Sequence, residues 1–422
     1  MIPKAVLRTV IADQLNEIGQ QGEEVVRSAF PSLKSYSGTS AYVVKGVRRC
    51  GKSTLLRQLI DAKFKDDFLY FNFDDERIVD FGSNDFQTLM EALIERFGDK
   101  KNAFFDEIQN VDGWELFVNR LLRQRYRVFI TGSSANLLSK ELGTHMTGRH
   151  VDMELYPFSF AEFLRAREFQ KPEGRFLSTP ERALISKAFE EYLHAGGMPE
   201  AVVSSNQNIV LQIVNDIIQK DILGRHSVRK PSELRSVLGF LISNSANPIT
   251  YLSISNNFGI KSPDTVQKYI EYAEEAYLIF SIRKFDRKIK RLDKNPKKVY
   301  CVDNGMITKY APGFAEKDGA LLENLIAIHL KRLGKEAFYY KSRRGNEIDF
   351  VIPADKTAIQ VCYELNGGNR ERETEGLLDA MNEEKFDKAF VLTLDQEEEI
   401  TLKNKKMIVM PAWRWLLASE PH

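Results

Sequence analysis

The chain has 422 residues, too many for one ordinary core, so two or three domains are expected. Hydrophobic residues make up 43% and charged residues 28%, a globular balance, and 60 basic against 59 acidic side chains leave a net charge of +1, so any nucleic-acid surface must be local rather than global. Cys50, Cys301 and Cys362 are far apart without C-x-x-C spacing, which argues against structural zinc and fits a reducing cytoplasm; neither a signal peptide nor a membrane span is expected.

Residues 5 to 30 read as helix, with a stripe of Val6, Leu7, Val10, Ile11 and Leu15. A turn-rich stretch leads to an apolar strand at Ala41-Tyr42-Val43-Val44. Next comes Gly46-Val47-Arg48-Arg49-Cys50-Gly51-Lys52-Ser53, the spacing G-x-x-x-x-G-K-S, followed by helix-forming Thr54-Leu55-Leu56. Strand, loop and helix together form the setting of a phosphate-cradling loop. Gly46 and Gly51 allow the tight turn, and the loop N–H groups from Arg48 to Thr54 face the phosphates. Lys52 reaches the β- and γ-phosphates, and Ser53 offers a hydroxyl to Mg²⁺.

A second strand spans Phe68 to Phe73, and a helix follows with Phe86, Leu89, Met90, Leu93 and Ile94 on one face. The third strand, Asn102-Ala103-Phe104-Phe105, ends in Asp106-Glu107. Asp106 suits the Mg²⁺ shell, and Glu107 suits a base that orients and deprotonates water. A helix with Trp114, Phe117, Val118, Leu121 and Leu122 precedes the fourth strand, Arg127 to Thr131, which runs into Gly132-Ser133-Ser134. A fifth strand is expected at Val151 to Leu155. Strands alternating with helices predict an α/β fold, a parallel sheet with helices on both faces. A whole strand and helix separate the phosphate loop from Asp106-Glu107, so the fourth strand should lie between them. Thr131, Ser133 and Ser134 then either sense the γ-phosphate or form an ordinary polar strand-end turn.

The nucleotide-binding core is expected over 1–195 and a helical lid or linker over 196–230, with Gly196-Gly197-Met198-Pro199 as a turn between helices. Residues 231–310 read as three helices and a two-stranded ribbon, a winged helix-turn-helix. Ser262-Pro263-Asp264 starts its third helix, which presents Thr265, Gln267 and Lys268. The ribbon is basic from Arg283 to Lys298, and Lys288, Lys290, Arg291 and Lys268 are the candidate DNA contacts. The alternative is a winged helix that mediates protein contacts. Residues 311–422 read as a third, α/β unit on a mixed sheet.

The residues Lys45 to Thr54, Phe104-Phe105-Asp106-Glu107-Ile108-Gln109, Ile130 to Ser134, Thr147-Gly148-Arg149 and Gly196 to Glu200 resemble bacterial and archaeal AAA+-type ATPases with an uncharacterised C-terminal region. Arg344-Gly345-Asn346-Glu347-Ile348-Asp349-Phe350 is similar to that region. The resemblance implies ATP rather than GTP, and an arginine acting on the γ-phosphate. Arg149 is the candidate, in cis or in trans; trans action requires a homo-oligomer, and the alternative is a surface pair with Asp152 or Glu154. It also implies a C-terminal fold like restriction endonucleases, whose pattern needs a helix Glu, a strand Asp and then Glu-x-Lys. Glu323, Asp349 and Gln360 form the corresponding candidate second metal site. Gln360-Val361-Cys362 lacks both the carboxylate and the lysine, so a relict fold that cuts poorly or not at all is expected.

Overall fold

The computed structural model describes residues 1–20, 25–30, 40–134, 149–169, 177–287, 295–311 and 317–420. Two compact units emerge, one of Met1–Tyr156 with Glu275–Tyr277, the other of Pro157–Glu274 with the chain from Leu278 onward.

In the first unit, helix α1 (Lys4–Gln20) precedes β1 (Ala41–Lys45) and α2 (Lys52–Leu59). Then come β2 (Leu69–Asn72), α3 (Phe86–Phe97), β3 (Asn102–Asp106), α4 (Trp114–Arg123), β4 (Arg127–Gly132) and β5 (His150–Glu154). The sheet order is β2-β3-β4-β1-β5, and every neighbouring pair is parallel. β4 thus lies between the phosphate-loop strand and the Asp106 strand, as the spacing predicts. Side chains alternate along the strands. Phe71 and Phe105 join a core with Leu7, Val10, Leu89 and Trp114, while Phe104 stacks on Phe129 at 4.7 Å and meets Phe64 edge-on. Ile94, expected on the buried face of α3, is 37% exposed. Helix α1 also stops earlier than the expected 30, since residues 25–27 are not helical.

The second unit begins with α5 (Phe160–Ala166), α6 (Thr179–Ala195), α7 (Pro199–Val203) and α8 (Asn208–Asp216). The Gly196-Gly197 turn between α6 and α7 is sterically required. Gly196 has φ 72°, and a Cβ there would lie 2.2 Å from Asp303 Oδ1; one on Gly197 would lie 2.3 Å from the Phe158 carbonyl. The Gly197 N–H donates to Asp303 Oδ2 at 2.6 Å. Next come α9 (Pro231–Ser243), β6 (Asn247–Ile249), α10 (Tyr251–Asn257), α11 (Pro263–Glu275), β7 (Ile279–Arg283) and β8 (Lys297–Cys301). Their sheet has three strands, β6-β8-β7, rather than two. The added strand is short and carries Pro248 at a sheet edge, where a missing N–H costs little.

The chain continues through α12 (Asn304–Tyr310), α13 (Asp318–Arg332), β9 (Phe338–Lys341), β10 (Glu347–Ile352), β11 (Thr357–Val361) and α14 (Arg370–Glu383). It ends with β12 (Lys388–Thr393), β13 (Glu398–Leu402), β14 (Lys405–Pro411) and α15 (Ala412–Ala418). These strands form a mixed sheet in the order β13-β14-β12-β11-β10-β9. Among the described residues no helix is long and apolar enough to cross a membrane.

Candidate nucleotide site

The phosphate loop leaves the carboxyl end of β1. A Cβ on Gly46 would sit 2.1 Å from the Leu155 carbonyl oxygen, so only glycine lets the loop pass β5. Gly51 has φ 96° just before α2 begins, a backbone conformation that favours glycine. Arg49 takes φ 62°. Lys52 is buried, and its Nζ donates to the carbonyls of Gly46 at 3.1 Å and Val47 at 3.2 Å. This curls the loop around the ammonium. Cys50 is buried, which pushes its thiol up, so it is not a nucleophile. Ser53 is exposed at the mouth, with Thr54 and Arg48 partly so.

Two carboxylates face this loop from β3. The Lys52 Nζ lies 3.5 Å from Glu107 Oε1. Asp106 is fully buried and accepts hydrogen bonds from the Ser53 and Thr131 hydroxyls. Burial, and then the Glu107 charge, raise the Asp106 carboxyl above its usual range, while those hydroxyls and Lys52 pull it down. The chain turns at Glu107 through φ 50°, a left-handed conformation costing roughly 1–2 kcal/mol. The turn is held because the Glu107 N–H donates to Thr131 Oγ1 at 2.9 Å. Glu107 Oε2 accepts from Gln109 Nε2 at 2.5 Å and Ser133 Oγ at 3.3 Å. The tip of β4 therefore touches both carboxylates.

Arg149 is exposed at the other end of the sheet. Its carbonyl accepts the Ala41 N–H, and Ala41 pairs with His150. At about 3.3 Å per residue, the run from Ser40 to Gly46 spans roughly 20 Å, so Arg149 does not reach the phosphate loop of its own chain. The residue that sequence reasoning missed is Arg27. It is 2% exposed, and its Nη1 and Nη2 donate at 2.5 Å to the carbonyls of Cys50 and Tyr156. A guanidinium thus pins the loop backbone from a segment with no motif of its own.

The AAA domain family matches residues 38–164, and two domains of unknown function match 186–317 and 318–415. Across 99% of its length the chain is 36% identical to an uncharacterized protein of Methanocaldococcus jannaschii, 96% of which it covers. The chain belongs to the family of that protein. Residues 38–164 are an AAA domain by that match. An uncharacterized protein of Haemophilus influenzae is 33% identical over 80% of the chain and 85% of its own length. The AMPPCP-bound DnaA structure from Aquifex aeolicus is 16% identical with a TM-score of 0.22, over 58% of this chain and 85% of that one. The family assignment rests on the two relatives and the domain match.

Outside the AAA domain, the candidate second metal site has a different composition from the expected one. Lys298 Nζ lies 3.0 Å from Glu323 Oε1, 2.9 Å from Glu347 Oε1 and 3.1 Å from Asp349 Oδ1. The Tyr300 hydroxyl donates to Glu323 Oε1 at 2.8 Å, and the Val361 N–H donates to Asp349 Oδ2 at 3.0 Å. Burial and the neighbouring Asp349 raise the Glu323 carboxyl well above its usual range. Gln360 donates instead to Glu373 Oε2 at 2.7 Å. Lys298, expected to contact phosphates at the end of the basic ribbon, is only 2% exposed and is turned inward by these carboxylates. Of the other DNA candidates, Lys268 is exposed on α11, and Lys288, Lys290 and Arg291 lie outside the described residues.

Proposed function

We propose that the protein binds and hydrolyses ATP and uses the cycle as a switch or motor on nucleic acid in the cytoplasm. One arrangement carries the hydrolytic part: Lys52, Asp106, Glu107 and Thr131 converge on the phosphate loop. Lys52 exchanges Glu107 for the β- and γ-phosphates, and the released Glu107 carboxylate takes a proton from the attacking water. The Asp106 carboxylate and Ser53 hydroxyl, already hydrogen-bonded, are hard oxygen donors that suit Mg²⁺. When bound, Mg²⁺ neutralises phosphate charge. ATPase turnover is the test, with Asp106→Asn expected to lose Mg²⁺-dependent activity; wild-type chain that binds but never hydrolyses ATP would overturn the reading.

Arg149 acts on a neighbouring subunit's γ-phosphate in a homo-oligomer. Its position away from its own loop supports trans over cis action. Such an arginine is worth about 10³–10⁵ in rate in well-studied NTPases. Arg149→Ala and Lys52→Ala subunits, each inactive, should recover activity when mixed; no recovery in a confirmed mixed oligomer argues against it.

The nucleic-acid part rests on a four-part organisation, 1–195, 196–230, 231–310 and 311–422, with α9 to α11 and the β6-β8-β7 sheet as a winged helix-turn-helix. The exposed Lys268 and the basic run with Lys288, Lys290 and Arg291 support it. Changing those last three to Glu should weaken DNA binding on all sequences and flatten its salt dependence by about 0.9 per lost contact. A second reading, a regulatory ATPase whose winged helix contacts protein, is favoured by internal pairing in the ribbon. Arg287 Nε meets Glu384 at 2.8 Å, and Lys298 is buried. Unchanged affinity in the triple variant would select it.

A further inference from the structure

The endonuclease-like reading of the C-terminal sheet requires a divalent cation on Glu323, Asp349 and the residue opposite Asp349. Phe350 pairs with Ile359 in antiparallel register, which sets Gln360 opposite Asp349. The residues present do not fit a metal. Among the described residues no group of three His, Cys, Asp or Glu side chains is disposed to hold one. The reason is a side chain from another strand. The ammonium of Lys298 has three N–H donors, and three carboxylates surround it at 2.9–3.1 Å.

We propose that Lys298 is an internal cation standing in place of the divalent metal, so that this sheet is metal-free and does not cleave phosphodiesters. The geometry accounts for the carboxylates that face the ammonium. Glu323 Oε1 takes the ammonium and the Tyr300 hydroxyl, while Asp349 divides its oxygens between the ammonium and the Val361 N–H. Gln360, in the third ligand position, donates its amide N–H to Glu373, while its carbonyl oxygen is buried without a hydrogen-bond partner among the described residues. A metal would have to expel an ammonium whose side chain is itself buried, leaving that charge beside the ion at a high desolvation cost. The three acids come from α13 and β10, and the lysine from β8 of the three-stranded sheet. The same contact therefore fastens the small sheet to the large one.

The test uses the full chain without nucleotide, so that the AAA site does not report, and Mn²⁺ as probe. Wild type and Asp349→Asn should respond to Mn²⁺ alike in thermal unfolding and calorimetry, and neither should nick supercoiled DNA. Lys298→Met should lower the unfolding midpoint and gain Mn²⁺ affinity by about tenfold or more, since its carboxylates lose their counter-ion. That gain should vanish in Lys298→Met/Asp349→Asn. Asp349-dependent Mn²⁺ binding or nicking by wild type would overturn the proposal, as would a folded Lys298→Met chain blind to Mn²⁺. If Lys298→Met does not fold, the comparison of wild type with Asp349→Asn decides alone.

Discussion

The Lys52 ammonium and the Glu107 carboxylate stand 3.5 Å apart, with Lys52 also bonded to two carbonyls of its own loop. On the proposed reading, the lysine that would hold phosphate contacts the carboxylate that would activate water. Lys52→Ala should therefore abolish tight nucleotide binding. Glu107→Gln should retain it and slow hydrolysis by about 10²–10⁴-fold, the usual contribution of a general base. Parallel nucleotide titration and turnover measurements separate the two. Wild-type turnover by Glu107→Gln would remove Glu107 from the base role.

Thr131 is the hinge between the carboxylates. Its hydroxyl donates to Asp106 and accepts the Glu107 N–H, fixing a left-handed turn. Thr131→Val keeps the volume and loses both bonds, so hydrolysis should fall roughly 10–100-fold with little change in nucleotide affinity, since each bond is worth about 1–3 kcal/mol. Thr131→Ser should restore most of the rate. Equal loss in both variants would mean that methyl packing, not the hydroxyl, matters.

Arg27 should behave as a positioning residue for the phosphate loop. Arg27→Met leaves the Cys50 and Tyr156 carbonyls without their shared donor. Nucleotide affinity should drop about tenfold or more, as expected for charged hydrogen bonds, with kcat at saturation nearly unchanged. Low concentrations of guanidinium should rescue the affinity of Arg27→Ala. A fall in kcat without a change in KM would contradict this role.

His329 predicts an acid-sensitive second unit. It is 2% exposed, its Nε2 is 2.8 Å from Ser419 Oγ, and its ring meets Trp415 at 5.2 Å. Burial, then the Arg332 charge, hold its imidazole down at about 3. The unfolded chain takes up a proton near 6.5 and the folded one does not, so this contribution is complete above that pH and is lost as pH falls toward 3. The slope is about 1.4 kcal/mol per pH unit. His329→Gln should flatten the dependence of the urea midpoint between pH 6.5 and 4 relative to wild type. Superimposable profiles would show that His329 is not buried neutral.

The grouping of the candidate nucleotide site was legible because its residues are local in sequence. Gly46 to Ser53 run consecutively from one loop into the start of α2, and the strand-end position of Asp106 and Glu107 follows from short apolar runs. Arg27 was not legible, because its partners are backbone carbonyls that no side-chain pattern records. Lys298 was misread for a related reason. In sequence it closes a basic run, and only the pairing of β8 beside α13 and β10 turns it into the cluster. Strand β13 carries no clear strand pattern because Glu residues open it, and its hairpin turn, Lys403-Asn404 with φ 48° and 63°, uses Lys where Asn or Gly is usual.

The two margins of the six-stranded sheet are guarded in different ways. At β13 the rim is acidic, with Glu398 paired to Arg370 and Glu399 to Lys406. At β9 the rim is capped by main chain, because the Phe285 N–H donates to the Tyr339 carbonyl at 2.7 Å. Charged side chains disfavour an incoming strand on one side, and the Lys284–Phe285 main chain lies against the other. A strand that extended this sheet would therefore have to pass the charged side chains of β13 or displace the Lys284–Phe285 main chain from β9.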